Sequence, residues 1–229
     1  MITLKEVKKN SSIKTLVEAG NHYLDMLGYT DHGPRHLGYV SKVASYILKT
    51  LEYSDREAEL AKIAGWVHDV GNAINRENHG SLGATLLFPI LKEMEMPLED
   101  AVAVITAVGN HEEQNGSVTD TISAALVIGD KSDAHKSRVR RKQPDLSDIH
   151  DRVNYSIQKN EVLVLKEERV IRQNLVMDDE ISSVFEYCKI YTDRISMCQD
   201  AAEFLGCNFE LFINERPVHR LSRHIKTTL

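Results

Sequence analysis

The chain has 229 residues, a formal net charge of −6, 42% apolar residues and 27% charged residues. That is the composition of an ordinary globular protein with room for one sizeable core, and its acidic balance argues against a general nucleic-acid or membrane-surface binder. The opening MITLKEVKKN lacks the apolar run of a signal peptide, and no window nears the roughly 18 uninterrupted apolar residues of a membrane span, so a cytoplasmic location is expected.

From about residue 13 to residue 135, apolar residues recur with a period of about 3.6, which predicts a run of helices joined by short polar connections. One stripe runs through Val40, Val43, Ala44, Ile47 and Leu51. The next takes Leu60, Ile63, Ala64 and Val67 and is ended by Gly71. A third takes Leu82, Leu86, Leu87, Ile90 and Met94, with a kink expected at Pro89. A fourth follows Ala101, Val104, Ile105 and Val108, and a fifth Ile122, Leu126 and Gly129.

After Arg138 the segment RVRRKQPDLSDIHDR is charged and broken by Pro144, a basic connection with room for a short helix. VLVLKEERVIRQNLVM then predicts a hairpin over about 155 to 177. Asp178 or Asp179 can cap a long helix with the stripe Ile181, Val184, Phe185, Cys188, Ile195, Ala202 and Leu205, stopping at Gly206. NFELFIN fits a short strand. The expected architecture is therefore mostly α: a helical domain over 1–150 followed by a small α+β appendage over 151–229, packed on the first. Cys188, Cys198 and Cys207 are odd in number and lack CxxC spacing, which argues against a disulfide framework or a thiolate zinc site.

The chain holds two His-Asp dipeptides, His68-Asp69 and His150-Asp151, where chance alone supplies about 0.7. Context separates them. One helical step beyond each apolar stripe stands an imidazole or a carboxylate: His36 before Val40, His68 after Ala64, His79 before Leu82, His111 after Val108 and Asp130 after Leu126. Five helices thus aim such groups at a shared core. Buried together they are costly unless a cation compensates them, and His and Asp are donors that Zn, Mn, Fe, Co and Ni all accept. His150-Asp151 lies in a polar, proline-containing stretch with no apolar helix around it, and reads as solvated surface.

The series His36, His68-Asp69, His79, His111, Asp130 resembles the HD-domain superfamily of metal-dependent phosphohydrolases. The local words are similar too: HGPRHLGYV, WVHDVGN, ENHGSLGATLL, NHEEQ and VIGDKSDA. The resemblance covers residues 30 to 135 and leaves 140 to 229 without a counterpart. It implies an HD-type helical bundle. It also implies that His36, His68, Asp69 and Asp130 bind one divalent transition metal ion, while His79 and His111 hold a second that Asp69 bridges to the first. In one cyclic-dinucleotide-cleaving branch a Lys follows the HDxG word; here Asn72 stands there.

Two such ions suit the hydrolysis of a phosphoester by a metal-activated water, on a nucleotide or another small phosphorylated metabolite. His68 and Asp69, with Lys131 beside Asp130, are the residues expected to carry catalysis. Arg35, Lys131, Arg138, Arg140 and Arg141 form a cationic set suited to phosphate oxygens. His32, Asp133 and His135 are spaced to stand behind the ligands, Asp133 as a partner for a ligand histidine or an arginine. Glu112 reads as a loop surface carboxylate, with proton transfer as its other reading. Two alternatives share the ligand set: a di-iron oxygenase acting on a small organic substrate, and a non-catalytic ligand sensor. The appendage predicts a homodimer, which a monomeric mass across a concentration series in light scattering would refute.

Overall fold

In the computed structural model of the protein, the described residues are 2–140 and 144–220, so Arg141 lies outside them. They form nine α-helices and four strands, mostly helical with a small sheet toward the C-terminus. After a single turn, α1 (Leu4–Val7), α2 (Ser11–Met26) begins at Asn10, whose side chain accepts the Ile13 amide. Helix α3 (Pro34–Thr50) has proline in its first turn, where a missing N–H leaves nothing unpaired. A reciprocal capping box of Ser54 and Glu57 starts α4 (Asp55–Val67). There follow a 3₁₀ turn (Val70–Ala73), α5 (His79–Glu93), α6 (Leu98–Gly109) and α7 (Thr121–Lys131), the last capped by Asp120 through a 2.8 Å bond from the Ser123 amide.

The stripes of α3 and α4 are buried as expected. That of α5 is rotated: Gly80, Gly83, Leu87 and Leu91 are buried, while Leu82, Leu86 and Ile90 are only partly covered. The cause is the glycine seam. A Cβ on Gly80 would lie 2.8 Å from the Val108 carbonyl, so α5 meets α6 backbone to backbone and Leu82 and Leu86 turn aside. The helix runs on through Pro89 to Glu93. Every residue of α7 from Ile122 to Gly129 is buried, against α3, α4, α6 and α9, rather than one face of it. A helix without a polar face belongs in the middle of a bundle, and this one carries Asp130 and Lys131 into the core at its C-terminal end.

A second 3₁₀ turn (Lys136–Arg138) leads to α8 (Ile149–Ser156). Strands β1 (Ile157–Leu165) and β2 (Val170–Met177) make the expected antiparallel hairpin. Helix α9 (Val184–Phe204) crosses over to β3 (Asn208–Ile213), parallel to β2, and β4 (Arg216–Arg220), absent from the sequence reading, closes the order β1-β2-β3-β4. Helix α9 begins later than expected. Its cap is Ser183, because Asp178 is used in a turn, where it accepts the Glu180 amide, and Asp179 receives the Asn214 side chain. Ile181 therefore precedes the helix and Phe185 is 78% exposed; the buried face is Tyr187, Tyr191, Cys198, Ala201 and Ala202. Gly206, at φ +67°, ends it in the left-handed region that glycine enters without strain. Helix α9 packs on both β3 and α7. No helix among the described residues is long and apolar enough to cross a membrane.

Candidate metal centre

Six side chains from five segments converge where helix ends meet. His36 sits in the first turn of α3, His68 caps α4, Asp69 opens the 3₁₀ turn, His79 starts α5, His111 follows α6 and Asp130 is the penultimate residue of α7. His36 Nε2 lies 3.3 Å from His68 Nε2 and 3.3 Å from Asp130 Oδ1. His68 Nε2 lies 3.3 Å from Asp69 Oδ2 and 3.5 Å from Asp130 Oδ1. On the other side of Asp69, His79 Nε2 stands 3.3 Å from Oδ1 and 3.0 Å from His111 Nε2.

The outward nitrogens explain the orientation. His36 Nδ1 donates to Asp133 at 2.7 Å, His68 Nδ1 to the Gly65 carbonyl at 3.0 Å, His79 Nδ1 to the Arg76 carbonyl at 2.9 Å and His111 Nδ1 to the Val108 carbonyl at 2.6 Å. With each Nδ1 committed to an acceptor, four Nε2 lone pairs face one another and two carboxylates, a repulsive arrangement until a cation or a proton enters. Asp69 Oδ2 is buried and makes no hydrogen bond among the described residues. An orphaned carboxylate oxygen inside a ring of imidazole nitrogens fits a cation. The groups His36, His68, Asp130 and His68, Asp69, His111 each bring their donor atoms within 4.8 Å of one another and can hold a metal ion.

Without a cation, the carboxylates favour the protonated forms of His68 and His79. Burial lowers the pKa of His68, but Asp69 and Asp130 outweigh burial and push it up to about 10. Burial raises both carboxyls, yet His68, with His79 at Asp69 and Lys131 at Asp130, holds them well below the usual carboxylate range. His111 goes the other way: burial and the charges of His79 and His68 hold it neutral, as a metal ligand must be.

Gly71 makes the junction possible. It does not end α4, which stops at Val67, and its φ is not positive; its role is a close approach, since a Cβ there would stand 1.9 Å from the His79 carbonyl oxygen and 2.6 Å from the Gly83 nitrogen. Gly71→Ala is expected to force the 3₁₀ turn off α5. The overpacking cost is about 1–3 kcal/mol or more, and the melting temperature should fall by roughly 2–4 °C per kcal/mol. Thermal denaturation beside the unaltered protein checks this; an unchanged melting temperature would show that the turn yields freely.

Behind the ligands, Asp133 is fully buried and binds the His36 ring, Arg35 and Arg138. His32 is buried with its ring 5.4 Å from that of His36, its Nε2 accepting from Arg138 at 3.2 Å. His135 points elsewhere and bonds the Ser137 hydroxyl and the Gln158 carbonyl, because it caps the second 3₁₀ turn. Glu112 is not a surface carboxylate: it is buried, accepts the Gly80 amide at 2.5 Å and lies 3.2 Å from His79 Nδ1. Asn72, which sequence reasoning treated only as a missing lysine, donates to Asp69 Oδ1 at 2.9 Å, three residues on within the same turn. The sheet reaches in as well, since Asn160 and Gln173 both donate to the Ser132 carbonyl, at 2.6 and 2.8 Å, and pin the end of α7 between Lys131 and Asp133.

The expected cationic set is largely engaged. Arg35 pairs with Asp31 and Asp133; Arg138 is buried among Asp133, His36 and His32; Arg140 bonds Asn21 and the Tyr29 carbonyl. Lys131 Nζ is buried, 2.7 Å from Asp130 and 3.2 Å from Glu113. Beside the centre lies a cavity of about 270 Å³ whose lining includes His32, Arg76, Asp148, His150, Asp151 and Arg194. The second His-Asp pair is therefore not plain solvated surface. His150 is exposed, but Asp151 is buried and accepts the Asp145 amide. Helix α8 is hard to read in sequence because its buried face is the mixed set Asp151, Val153, Asn154 and Ser156.

No protein-family model matches the chain. It is similar to an uncharacterized protein, MJ1020, of Methanocaldococcus jannaschii, at 25% identity over 215 residues spanning 83% of this chain and 81% of that protein.

Proposed function

We propose that this protein is an HD-type, metal-dependent phosphohydrolase that cleaves a phosphoester of a nucleotide or another small phosphorylated metabolite. The observation that carries the reading is the convergence of four imidazole Nε2 atoms and two carboxylates on one buried point, with Asp69 Oδ2 left unbonded there. The opposite oxygens of Asp69 face different histidine pairs, which supports two ions with Asp69 between them. His36, His68 and Asp130 would share one ion, and His79 and His111 the other. When bound, divalent ions supply a water of lowered pKa and electrophilic stabilisation of phosphoryl oxygens.

The chain's own groups do the rest. Asp133 and three backbone carbonyls hold the imidazoles in the tautomer that presents Nε2 inward. Asn72 holds Asp69 by one oxygen and leaves the other inward. Lys131 offsets the charge of Asp130, and the buried shell of α3, α4 and α7 keeps bulk water from the ligands.

Elemental analysis and an anaerobic phosphate-release screen over nucleotides and phosphate monoesters test the proposal together. About two metal ions per chain with phosphate release is the expected result. Two irons with oxygen uptake and no phosphate release would replace it with the oxygenase, and no metal after supplementation would replace it with a sensor.

A further inference from the structure

The cations expected from sequence are already engaged by carboxylates, imidazoles or backbone oxygens, so the negative charge of a phosphate must be met by others. Two arginines line the cavity beside His32, and neither was singled out from sequence. We propose that Arg76 and Arg194 form the anion clamp of this centre, and that the cavity receives a small, hydroxyl-bearing phosphate monoester. This rests on the phosphohydrolase reading above.

Arg76 projects from the segment between the 3₁₀ turn and α5. Its Nη1 stands 3.4 Å from His79 Nε2 and 3.4 Å from Asn72 Oδ1. The guanidinium thus reaches the rim of the ligand cluster itself. It has no carboxylate partner within ion-pair distance among the described residues, and the Tyr29 ring, 5.6 Å away, supports it from one side. It also lines a second cavity, of about 500 Å³, with Asn78 and Glu112. A planar cation at the edge of two cavities, touching a ligand histidine but bound to no anion, is placed to receive one.

Arg194 arrives from the other end of the chain. It lies in α9, with its side chain 30% exposed, and its Nε is 3.1 Å from Glu113 Oε1. Glu113 also takes Lys131 Nζ at 3.2 Å, and Lys131 lies 2.7 Å from Asp130. This ladder of alternating charge leads from the ligand Asp130 to Arg194 and fixes the guanidinium by Nε. The terminal nitrogens have no partner among the described residues. The Tyr191 ring, 5.0 Å from the guanidinium carbon, gives it a flat support. The packing of α9 on α7 therefore delivers a cation that the helical segment alone lacks.

The rest of the wall says what accompanies the phosphate. The first turn of α8 brings Asp148, His150 and Asp151 to the same cavity. Carboxylates repel a phosphate and accept from hydroxyl groups, so the phosphate belongs with the arginines and a hydroxyl-bearing remainder with α8. At about 270 Å³ the cavity suits a small metabolite rather than a polymer.

The test titrates metal-loaded protein with inorganic phosphate by calorimetry, for the unaltered chain and for Arg76→Gln, Arg194→Gln and Arg194→Lys. Each glutamine variant should weaken phosphate binding by about 10- to 100-fold, the loss of a charge-assisted hydrogen bond, with metal content unchanged. Arg194→Lys should recover part of it. Unchanged affinity in both glutamine variants overturns the clamp, and so does loss of metal together with phosphate, since the arginines would then be structural. Phosphate binding that needs both arginines, without turnover of any monoester, would sink the hydrolase reading and leave the clamp standing. Equal kcat/KM for an alkyl phosphate and a sugar phosphate of the same carbon number would overturn the hydroxyl-bearing substrate.

Discussion

Asp69→Asn is expected to abolish metal retention and to lower kcat by about 1,000-fold or more, the order of loss when a group that organises transition-state charge is removed. The substitution keeps the volume and one oxygen but deletes the negative charge between the two histidine pairs. It also turns an inward acceptor into a donor facing Nε2 lone pairs. Asp133→Asn is the informative companion. Of the six converging side chains Asp133 touches only His36, at its outer nitrogen, so a loss of about 10- to 100-fold in metal affinity, with some activity left at high metal, is expected. Elemental analysis and phosphate release on the same preparations separate the two. Equal, complete loss in both variants would mean that Asp133 holds the fold rather than the ligand, and full metal in Asp69→Asn would show that the centre lies elsewhere.

Chelation is expected to lower the melting temperature substantially, and restoring the metal to return it. The cluster concentrates one buried and one half-buried carboxylate and four buried imidazoles at helix ends that belong to different parts of the bundle. A ligand that binds only the folded chain, present at about 100 times its dissociation constant, contributes about 2.7 kcal/mol. At roughly 2–4 °C per kcal/mol for a chain of this size, that is a shift of about 5–11 °C for each site filled. Calorimetric scans of native, chelated and reconstituted protein read it directly. The ranking among Mn, Fe, Co, Ni and Zn comes from the same scans. Identical curves for chelated and native protein would show that the carboxylates and the protonated His68 already balance one another.

The core of the converging cluster was legible because it sits on helical stripes. His36, His68, His111 and Asp130 each fall one helical step beyond a buried apolar residue, His79 stands beside a stripe that the glycine seam rotates, and a period of about 3.6 is a local property of the chain. The hairpin was legible as well, from two β-prone runs around a polar turn. What could not be read were the partners set by approach between distant segments. Glu112 is buried because Gly80 lets α5 close on α6, and Gly71 matters through a carbonyl eight residues away in sequence. Arg194 reaches the cavity from α9 because that helix packs on α7, not because of any pattern around it. His150-Asp151 misled for the same reason: α8 buries a mixed polar face that carries no periodic apolar signal. Sequence by itself determined where the helices run and the buried stripes of α3 and α4, since propensity and periodicity act over a few residues, whereas the faces of α5, α7 and α9 were set by their neighbours. Tertiary packing alone decided which carboxylate each cation meets, because a charge's partners are chosen by distance in space.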